Sequence, residues 1–246
     1  DPIPFTLVRF ISGAVLLAIL VRPSWQEVER GKAGMESALS LSIYAFAFSW
    51  AYVAMDTGMG ALILFATIQI VLNIVAQLTG DKINRLTLLG IAIAFIGLVV
   101  LLLPGQSAPD FSSALIMMVA GLGWAGFVYS GRNSQDPLRD VALSFRWALI
   151  LSTPLLFWAD WQQSSGIGIL LAVISGTLAS GLGYALWYKV LPQLGLQTAA
   201  QAQLVVPVFA TIMGVVFLAE QISLIMILAS ALILIGITIA IRAKAK

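Results

Sequence analysis

Long apolar runs recur from one end of the chain to the other, and they restrict the fold more than any other feature of the sequence. A run of about 18 or more apolar residues is long enough to cross a bilayer as a helix. The runs lie at about 5–21, 37–56, 60–79, 86–103, 111–131, 141–159, 166–187, 197–218 and 222–241. Because backbone polar groups in hydrocarbon must be satisfied within their own segment, these runs are predicted to be helices. The predicted fold class is an all-α integral membrane protein.

The composition of the chain excludes several kinds of chemistry. Only 10% of the 246 residues are charged, against about 25% in soluble domains, and there is no cysteine and no histidine. Disulfides, thiol chemistry, Cys/His metal sites and histidine proton relays are thereby excluded. No carboxylate lies deep in a predicted span, so no acid–base or nucleophilic constellation is visible. We predict no enzyme activity, no catalytic residue, no metal site and no cofactor.

The basic residues are distributed unevenly between the two predicted sides of the membrane. Of the thirteen lysines and arginines, eleven lie after spans one, three, five and seven and in the C-terminal tail, while the alternate connectors have none. By the positive-inside rule, the side with eleven charges is cytoplasmic. The predicted location is the cell (inner) membrane, with the C-terminus in the cytoplasm and residue 1 outside.

The chain contains an internal repeat. "DPIPFTLVRF" at 1–10 resembles "DPLRDVALSFRW" at 136–147, and "WAYVAMDTG" at 50–58 matches "WYKVLPQLG" at 187–195 with the same offset of 137. Further along, Gly97 aligns with Gly236. Each match places the two copies on opposite sides of the membrane, so the repeat is inverted, an arrangement typical of secondary transporters. The predicted repeats are residues 1–104 and 105–246.

The two predicted repeats differ in their number of spans. The second has five, whereas the first has four because the chain begins at its own "DP". We therefore expect two inverted five-helix repeats (5+5), with nine transmembrane helices present here and the first of ten missing. A natural nine-helix protein is the alternative.

These features together resemble the EamA-like transporters of the drug/metabolite transporter superfamily. The resemblance rests on the "DP…R(F/W)" motif in each repeat, on Gly58 and Gly195 in matching turns, and on "LAEQISLIMILASALILIGI" closing the second repeat. It covers essentially the whole chain. It implies a 5+5 fold with both termini cytoplasmic, a central cavity, and export of amino acids, other metabolites or drugs, often coupled to protons.

Polar side chains inside spans are functional candidates by default. Gln69, Asn73 and Gln77 are spaced by four residues and share a helix face, and Gln197 and Gln201 repeat this spacing, with Gln203 nearby. Gln69, Asn73 and Gln201 are predicted to bind substrate, and interhelical amide bonding is the structural alternative. Pro207 follows these glutamines within span eight and is expected to bend or open that helix, which would free a backbone carbonyl.

Aromatic residues form a second candidate set. Tyr44 and Phe48 share a face, Ser180 and Tyr184 share another, and Trp124 lies in the middle of span five. Tyr44, Phe48, Trp124 and Tyr184 are predicted to bind substrate through apolar contact and cation–π attraction. Rings near span ends are instead assigned to the interfacial aromatic belt, namely Trp50, Tyr52, Trp158, Trp161, Trp187 and Tyr188.

Arg9 and Arg146 are the two basic residues within spans, and they align in the repeat. A charged side chain at a helix centre costs about 2.5–3.5 kcal/mol, and less near an end. Either arginine can anchor its helix by reaching the interface, or can contact a substrate or counter-ion. The sequence leaves both roles open.

Glycines in the spans are assigned to helix packing. "GLGWAG" at 121–126 fits a dinucleotide-binding fingerprint, but that motif requires a preceding strand in a soluble unit. Small residues let membrane helices approach closely, and Gly90, Ala94 and Gly97 are interpreted in the same way.

The sequence thus predicts a secondary active transporter that exports small metabolites or drugs by alternating access, with proton coupling as an option. The alternative is a non-transport membrane protein, either structural or a lipid-acting enzyme. The expected partners are a small-molecule substrate and the lipid bilayer, with no nucleic acid, and a homodimer stays open.

Overall fold

The computed structural model describes residues 1–21, 32–80, 83–105, 108–218 and 223–244, and this part of the chain is helical without any strand. Its helices are α1 (Pro2–Val21), α2 (Lys32–Ala51), α3 (Thr57–Leu78), α4 (Arg85–Leu102), α5 (Phe111–Gly131), α6 (Pro137–Ser152), α7 (Gly166–Ile174), α8 (Gly183–Gln203), α9 (Val206–Leu218) and α10 (Leu224–Lys244). Short 3-10 segments cover Thr153–Phe157 and Trp161–Gln163, and a π-helical segment, Ser175–Leu182, joins α7 to α8. The predicted all-α fold is confirmed.

Among the described residues, seven helical segments are long and apolar enough to cross a membrane. One of them, Gly166–Gln203, runs for 38 residues and contains predicted span seven and the start of span eight. Its path breaks at Gly195, whose positive φ of 69° suits a residue without a Cβ. Within the described ranges, all nine predicted spans are helical over most of their length, so the multi-pass membrane fold is also confirmed.

Local side-chain bonds define where several helices begin. Asn84 and Asp136 accept hydrogen bonds from the backbone N–H groups of Thr87 and Arg139, and so cap α4 and α6. Asp110 precedes α5, where the Ser112 hydroxyl and the Ser113 N–H and side chain hold the pKa of its carboxyl below the usual range. The caps satisfy backbone donors that would otherwise lack an intrahelical partner.

The chain forms two compact units. The first comprises Asp1–Ala54 and Leu115–Gly195, and the second comprises Met55–Ala114 and Leu196–Lys246. Each unit combines segments from both predicted sequence repeats. The repeat boundary at residues 104 and 105 concerns sequence relationship rather than compactness, and it stays a prediction.

In the first unit, α1 packs on α6 and on the π-helical segment through small residues. A Cβ on Gly176 would lie 2.2 Å from the Arg9 carbonyl oxygen, and one on Gly13 would lie 2.4 Å from the Phe145 ring. Phe10 adds an edge-to-face contact with Phe145, with ring centroids 5.9 Å apart. These contacts bring the backbone of α1 directly against the π-helical segment.

In the same unit, the glycines of "GLGWAG" hold α5 against α2. A Cβ on Gly123 would lie 2.6 Å from the Tyr44 backbone nitrogen, and one on Gly126 would lie 2.7 Å from the Ser40 hydroxyl. The motif is therefore a packing surface within a helix, as predicted.

In the second unit, α4 and α10 form a close antiparallel contact. A Cβ on Gly236 would lie 2.4 Å from the Ala94 backbone nitrogen, and one on Gly97 would lie 2.8 Å from the Ile233 backbone nitrogen. A Cβ on Gly90 would likewise lie 2.5 Å from the Ala240 backbone nitrogen. The packing role predicted for Gly90, Ala94 and Gly97 is confirmed.

This contact has the symmetry of the internal repeat. Gly97 aligns with Gly236 at an offset of 139, and the same offset takes Ala94 to Ile233. Ala94 of α4 contacts Gly236 of α10, and the two aligned residues, Ile233 of α10 and Gly97 of α4, contact each other in the same way. Two aligned helices that meet through exchanged residues are what an inverted repeat related by a two-fold axis produces.

Candidate functional site

Arg9 is the central residue of a polar site in the first unit. Its side chain is buried, with 6% of its surface exposed. Its Nε donates to the Ser180 hydroxyl at 2.7 Å, and its Nη2 donates to the Tyr184 hydroxyl at 2.6 Å. Both acceptors are neutral, and no carboxylate among the described residues forms an ion pair with Arg9. In the described part of the chain, the hydrogen bonds of this buried positive charge therefore go to hydroxyl groups and not to a carboxylate.

The π-helical segment positions these two acceptors. Gly176 lies against the Arg9 carbonyl, so the segment crosses α1 at the level of the arginine. Ser180 follows about one turn later, and Tyr184 follows after another turn at the start of α8. Single π-helical turns within α-helices frequently occur at functional sites, because the wider turn redirects side chains.

Aromatic rings surround the arginine. The Tyr44 ring centroid lies 5.8 Å from the Arg9 guanidinium carbon, within cation–π distance. Trp124 connects Tyr44 and Tyr184, with ring centroids 4.8 Å and 5.0 Å away, respectively. We call Arg9, Tyr44, Trp124, Ser180 and Tyr184 the Arg9 cluster.

The Arg9 cluster unites residues that the sequence put forward separately. Tyr44 comes from α2, Trp124 from α5 and Tyr184 from α8, and Phe48 extends the set by a ring contact of 5.3 Å with Tyr44. Their role in substrate binding stays a prediction. Arg146, the aligned partner of Arg9, is only half-buried, so the two arginines occupy different environments.

The predicted amide residues meet in the second unit. Gln69 Nε2 donates to Gln201 Oε1 at 3.1 Å, Gln201 Nε2 donates to Asn73 Oδ1 at 3.3 Å, and Asn73 Nδ2 donates to Gln69 Oε1 at 2.9 Å. The three amides therefore form a closed ring of hydrogen bonds between α3 and α8. This geometry is that of interhelical amide bonding, and the contact of these residues with a substrate stays a prediction.

A double-mutant cycle tests the amide ring. Gln69→Ala and Gln201→Ala are each expected to destabilise the protein, because each leaves a buried amide without its partner. The two substitutions should couple by about 0.6 kcal/mol, the average for interhelical hydrogen bonds in membranes. The cycle is measured by reversible unfolding in mixed micelles. Strictly additive effects would contradict the hydrogen bond between the two side chains.

The other candidate polar residues differ in environment. Gln77 is exposed, whereas Gln197 is buried, and neither of its side-chain polar atoms has a hydrogen-bond partner in the described part of the chain. Gln203 donates to the Ala199 carbonyl at 3.2 Å. The helix is interrupted between α8 and α9, and Pro207 is the second residue of α9, where its missing N–H carries no cost.

Tyr188 was assigned to the interfacial belt, and this prediction is wrong. The side chain is only 1% exposed. Its hydroxyl donates to the Phe127 carbonyl at 2.8 Å and bonds to the Ser37 hydroxyl at 2.9 Å. The sequence placed it near a span end, but interhelical hydrogen bonds hold it in the protein interior. Trp50 and Trp158 are more than half exposed, as belt residues would be.

The fold and the polar clusters define a class: a multi-pass helical membrane protein with an inverted repeat and buried polar groups in its spans. Residues 111–242 match the EamA-like transporter family. The chain belongs to this family, and the protein is a membrane transporter rather than an enzyme.

The chain is similar to several known proteins. An uncharacterized protein of Pseudomonas aeruginosa is 41% identical, covering 91% of this chain and 78% of that protein. A "Probable amino-acid metabolite efflux pump" of Salmonella typhimurium is 28% identical over 84% of this chain and 74% of its own length. A solved crystal structure shares the fold with a TM-score of 0.78 at 20% identity, covering 98% of this chain and 88% of that one.

Proposed function

We propose that the protein exports small metabolites that carry a carboxylate, namely amino acids or related compounds, across the cell membrane by alternating access. The proposed orientation places the C-terminus in the cytoplasm, on the side that carries eleven basic residues. The printed name of the Salmonella relative, an amino-acid metabolite efflux pump, supports this class of substrate.

The observation that carries the proposal is the buried charge of Arg9. Removing a guanidinium from water is expensive, and neutral hydroxyl acceptors from Ser180 and Tyr184 compensate only part of that cost. A carboxylate would supply the missing negative charge and would match the planar fork of the guanidinium. The Arg9 cluster is thus suited to an anionic group.

The surrounding rings add a preference for the rest of the substrate. Tyr44 and Trp124 present apolar faces beside Arg9, and rings of this kind bind the apolar part of a ligand. In this structure the rings and hydroxyls close over the guanidinium, which leaves 6% of the side chain exposed. Substrate binding would therefore require Tyr44 or Tyr184 to move, as expected of a transporter that alternates between states.

Transport into proteoliposomes tests the proposal. The purified protein should move labelled phenylalanine or leucine when a pH gradient, a sodium gradient or internal unlabelled substrate supplies the driving force. The free acids should compete with the labelled substrate, whereas the corresponding amides and esters should not, because they lack the charge that Arg9 binds. If no labelled carboxylate moves under any gradient, or if amides compete as well as acids, the proposal fails.

A further inference from the structure

A separate polar cavity of about 210 Å³ lies in the first unit, outside the Arg9 cluster. Residues from α2, α5, α6, α8 and the segment that joins α5 to α6 line it. Six of its side chains carry hydroxyl or carboxylate oxygen atoms: Ser37, Ser130, Ser134, Asp140, Ser144 and Tyr188. The other lining residues are uncharged, so no basic side chain is among those that line it.

The hydroxyl protons of Tyr188, Ser37 and Ser144 already form hydrogen bonds within the protein. Tyr188 donates its proton to the Phe127 carbonyl, so Ser37 must be the donor in its 2.9 Å bond with Tyr188. Ser144 in turn donates to the Ser37 hydroxyl at 2.8 Å or to the Asp140 carbonyl at 2.7 Å. These three side chains are at most 4% exposed.

The hydroxyl groups of Ser134 and Ser130 also donate their protons to protein atoms. Ser134 donates to Asp140 Oδ2 at 2.5 Å, and Ser130 donates to the Gly126 carbonyl at 3.0 Å. A hydroxyl has one proton but two lone pairs. With all five protons bonded to protein atoms, these hydroxyls present acceptor lone pairs to anything that enters the cavity.

The electrostatics of the cavity favour positive charge. Asp140 is the only carboxylate among the residues that line it and no basic side chain accompanies it there, so a bound cation would meet one full negative charge. The neighbouring Arg132 stacks on the Tyr129 ring at 3.4 Å and donates to the Tyr129 carbonyl at 2.6 Å. It is not one of the lining residues.

We propose that this cavity binds a small monovalent cation through Asp140 and the hydroxyl oxygens of Ser37 and Ser144. The described residues contain no group of three or more acidic or other strong ligands, which a divalent ion would favour. Two kinds of ligand fit this description: an alkali metal ion and the primary ammonium group of a small molecule. Both carry one positive charge and bind to the lone pairs of oxygen atoms. The proposal does not depend on the function proposed above.

Calorimetric titration of the purified full chain tests this site. Sodium chloride, potassium chloride and methylammonium chloride are added in turn, with choline chloride as the ionic-strength control. We expect saturable binding of at least one of the first three and none of choline, which offers neither a small ion nor an N–H donor. Binding of sodium or potassium identifies a metal ion site, and binding of methylammonium alone identifies an ammonium site.

Two variants connect the binding to the cavity. Asp140→Asn keeps an acceptor for Ser134 but removes the charge, and it should weaken binding by at least about tenfold, since even outer-shell changes at metal sites cost about 10–100-fold. Asp136→Asn is the matched control, because Asp136 lies four residues earlier, is exposed, and becomes another good cap. It should bind as the unmodified protein does.

Ser144→Ala provides a second measure if Asp140→Asn fails to fold, as judged by size-exclusion chromatography. It removes one proposed oxygen ligand and should weaken cation binding by about tenfold. The proposal is overturned if none of the three cations binds saturably. It is equally overturned if the folded Asp140→Asn or Ser144→Ala protein binds with unchanged affinity.

Discussion

Arg9→Gln is expected to weaken the binding of carboxylate substrates strongly while leaving a folded protein. Glutamine retains hydrogen-bond donors for the Ser180 and Tyr184 hydroxyls, which accept from Arg9 at 2.7 Å and 2.6 Å. It lacks the charge, and losing one partner of a buried charged pair costs about 2–5 kcal/mol. The apparent affinity for the carboxylate should fall by about 30-fold or more. Competition binding with free acids measures it.

Two further variants separate charge from geometry. Arg9→Lys keeps a positive charge but loses the planar fork, so an intermediate affinity is expected. Arg146→Gln is the control: Arg146 aligns with Arg9 in the repeat but is half-buried, and a much smaller effect is expected. If both variants lost the same amount of affinity for the carboxylate, the arginines would act as anchors of their helices and not as substrate ligands.

Gly236→Leu is expected to prevent assembly of the second unit. A Cβ at this position would lie 2.4 Å from the Ala94 backbone nitrogen and 2.6 Å from the Gly90 carbonyl oxygen. Backbone atoms cannot turn aside as a flexible side chain can, so α4 and α10 would have to separate. Overpacking usually costs about 1–3 kcal/mol, and a clash with two backbone atoms should exceed this range. The yield of monodisperse protein after detergent extraction measures the effect.

The internal repeat gives this prediction an unusual control. Gly97→Leu should have a similar effect, because Gly97 occupies the aligned position on α4 and its Cβ would lie 2.8 Å from the Ile233 backbone nitrogen. Ile235→Leu changes the neighbouring residue on α10, which is 53% exposed, and should leave the yield unchanged. A normal yield of Gly236→Leu would contradict the close contact between these helices.

The sequence predicted the helices and the small-residue contacts because both depend on local pattern. An apolar run of sufficient length becomes a helix in a membrane whatever lies beside it, and glycine permits close packing by its size alone. The amide set was also visible, because Gln69 and Asn73 are four residues apart on one helix. That these amides form a ring with Gln201 was not visible, because the third member comes from a helix more than 100 residues away.

Tyr188 and the cation-binding cavity show where sequence patterns are insufficient. Tyr188 lies near the end of a predicted span, where tyrosine usually faces the interface, but Ser37 and Phe127 provide buried partners for its hydroxyl. Asp140 and Ser144 occupy the first turns of a helix, where such residues normally serve the backbone. The serines of "ESALSLS" and "SGRNSQDPLRD" were the available signal, and serine is too common to identify a site alone.

The sequence by itself determined the membrane class, the helical fold, the internal repeat and the two intramembrane arginines. Each follows from residue type, spacing or self-similarity, which need no knowledge of neighbours in space. Only the tertiary structure decided that Arg9 is buried among rings from three other helices while Arg146 is half-buried. The reason is physical: the cost of a charge depends on its desolvation and its partners, and both are set by helices distant in the chain.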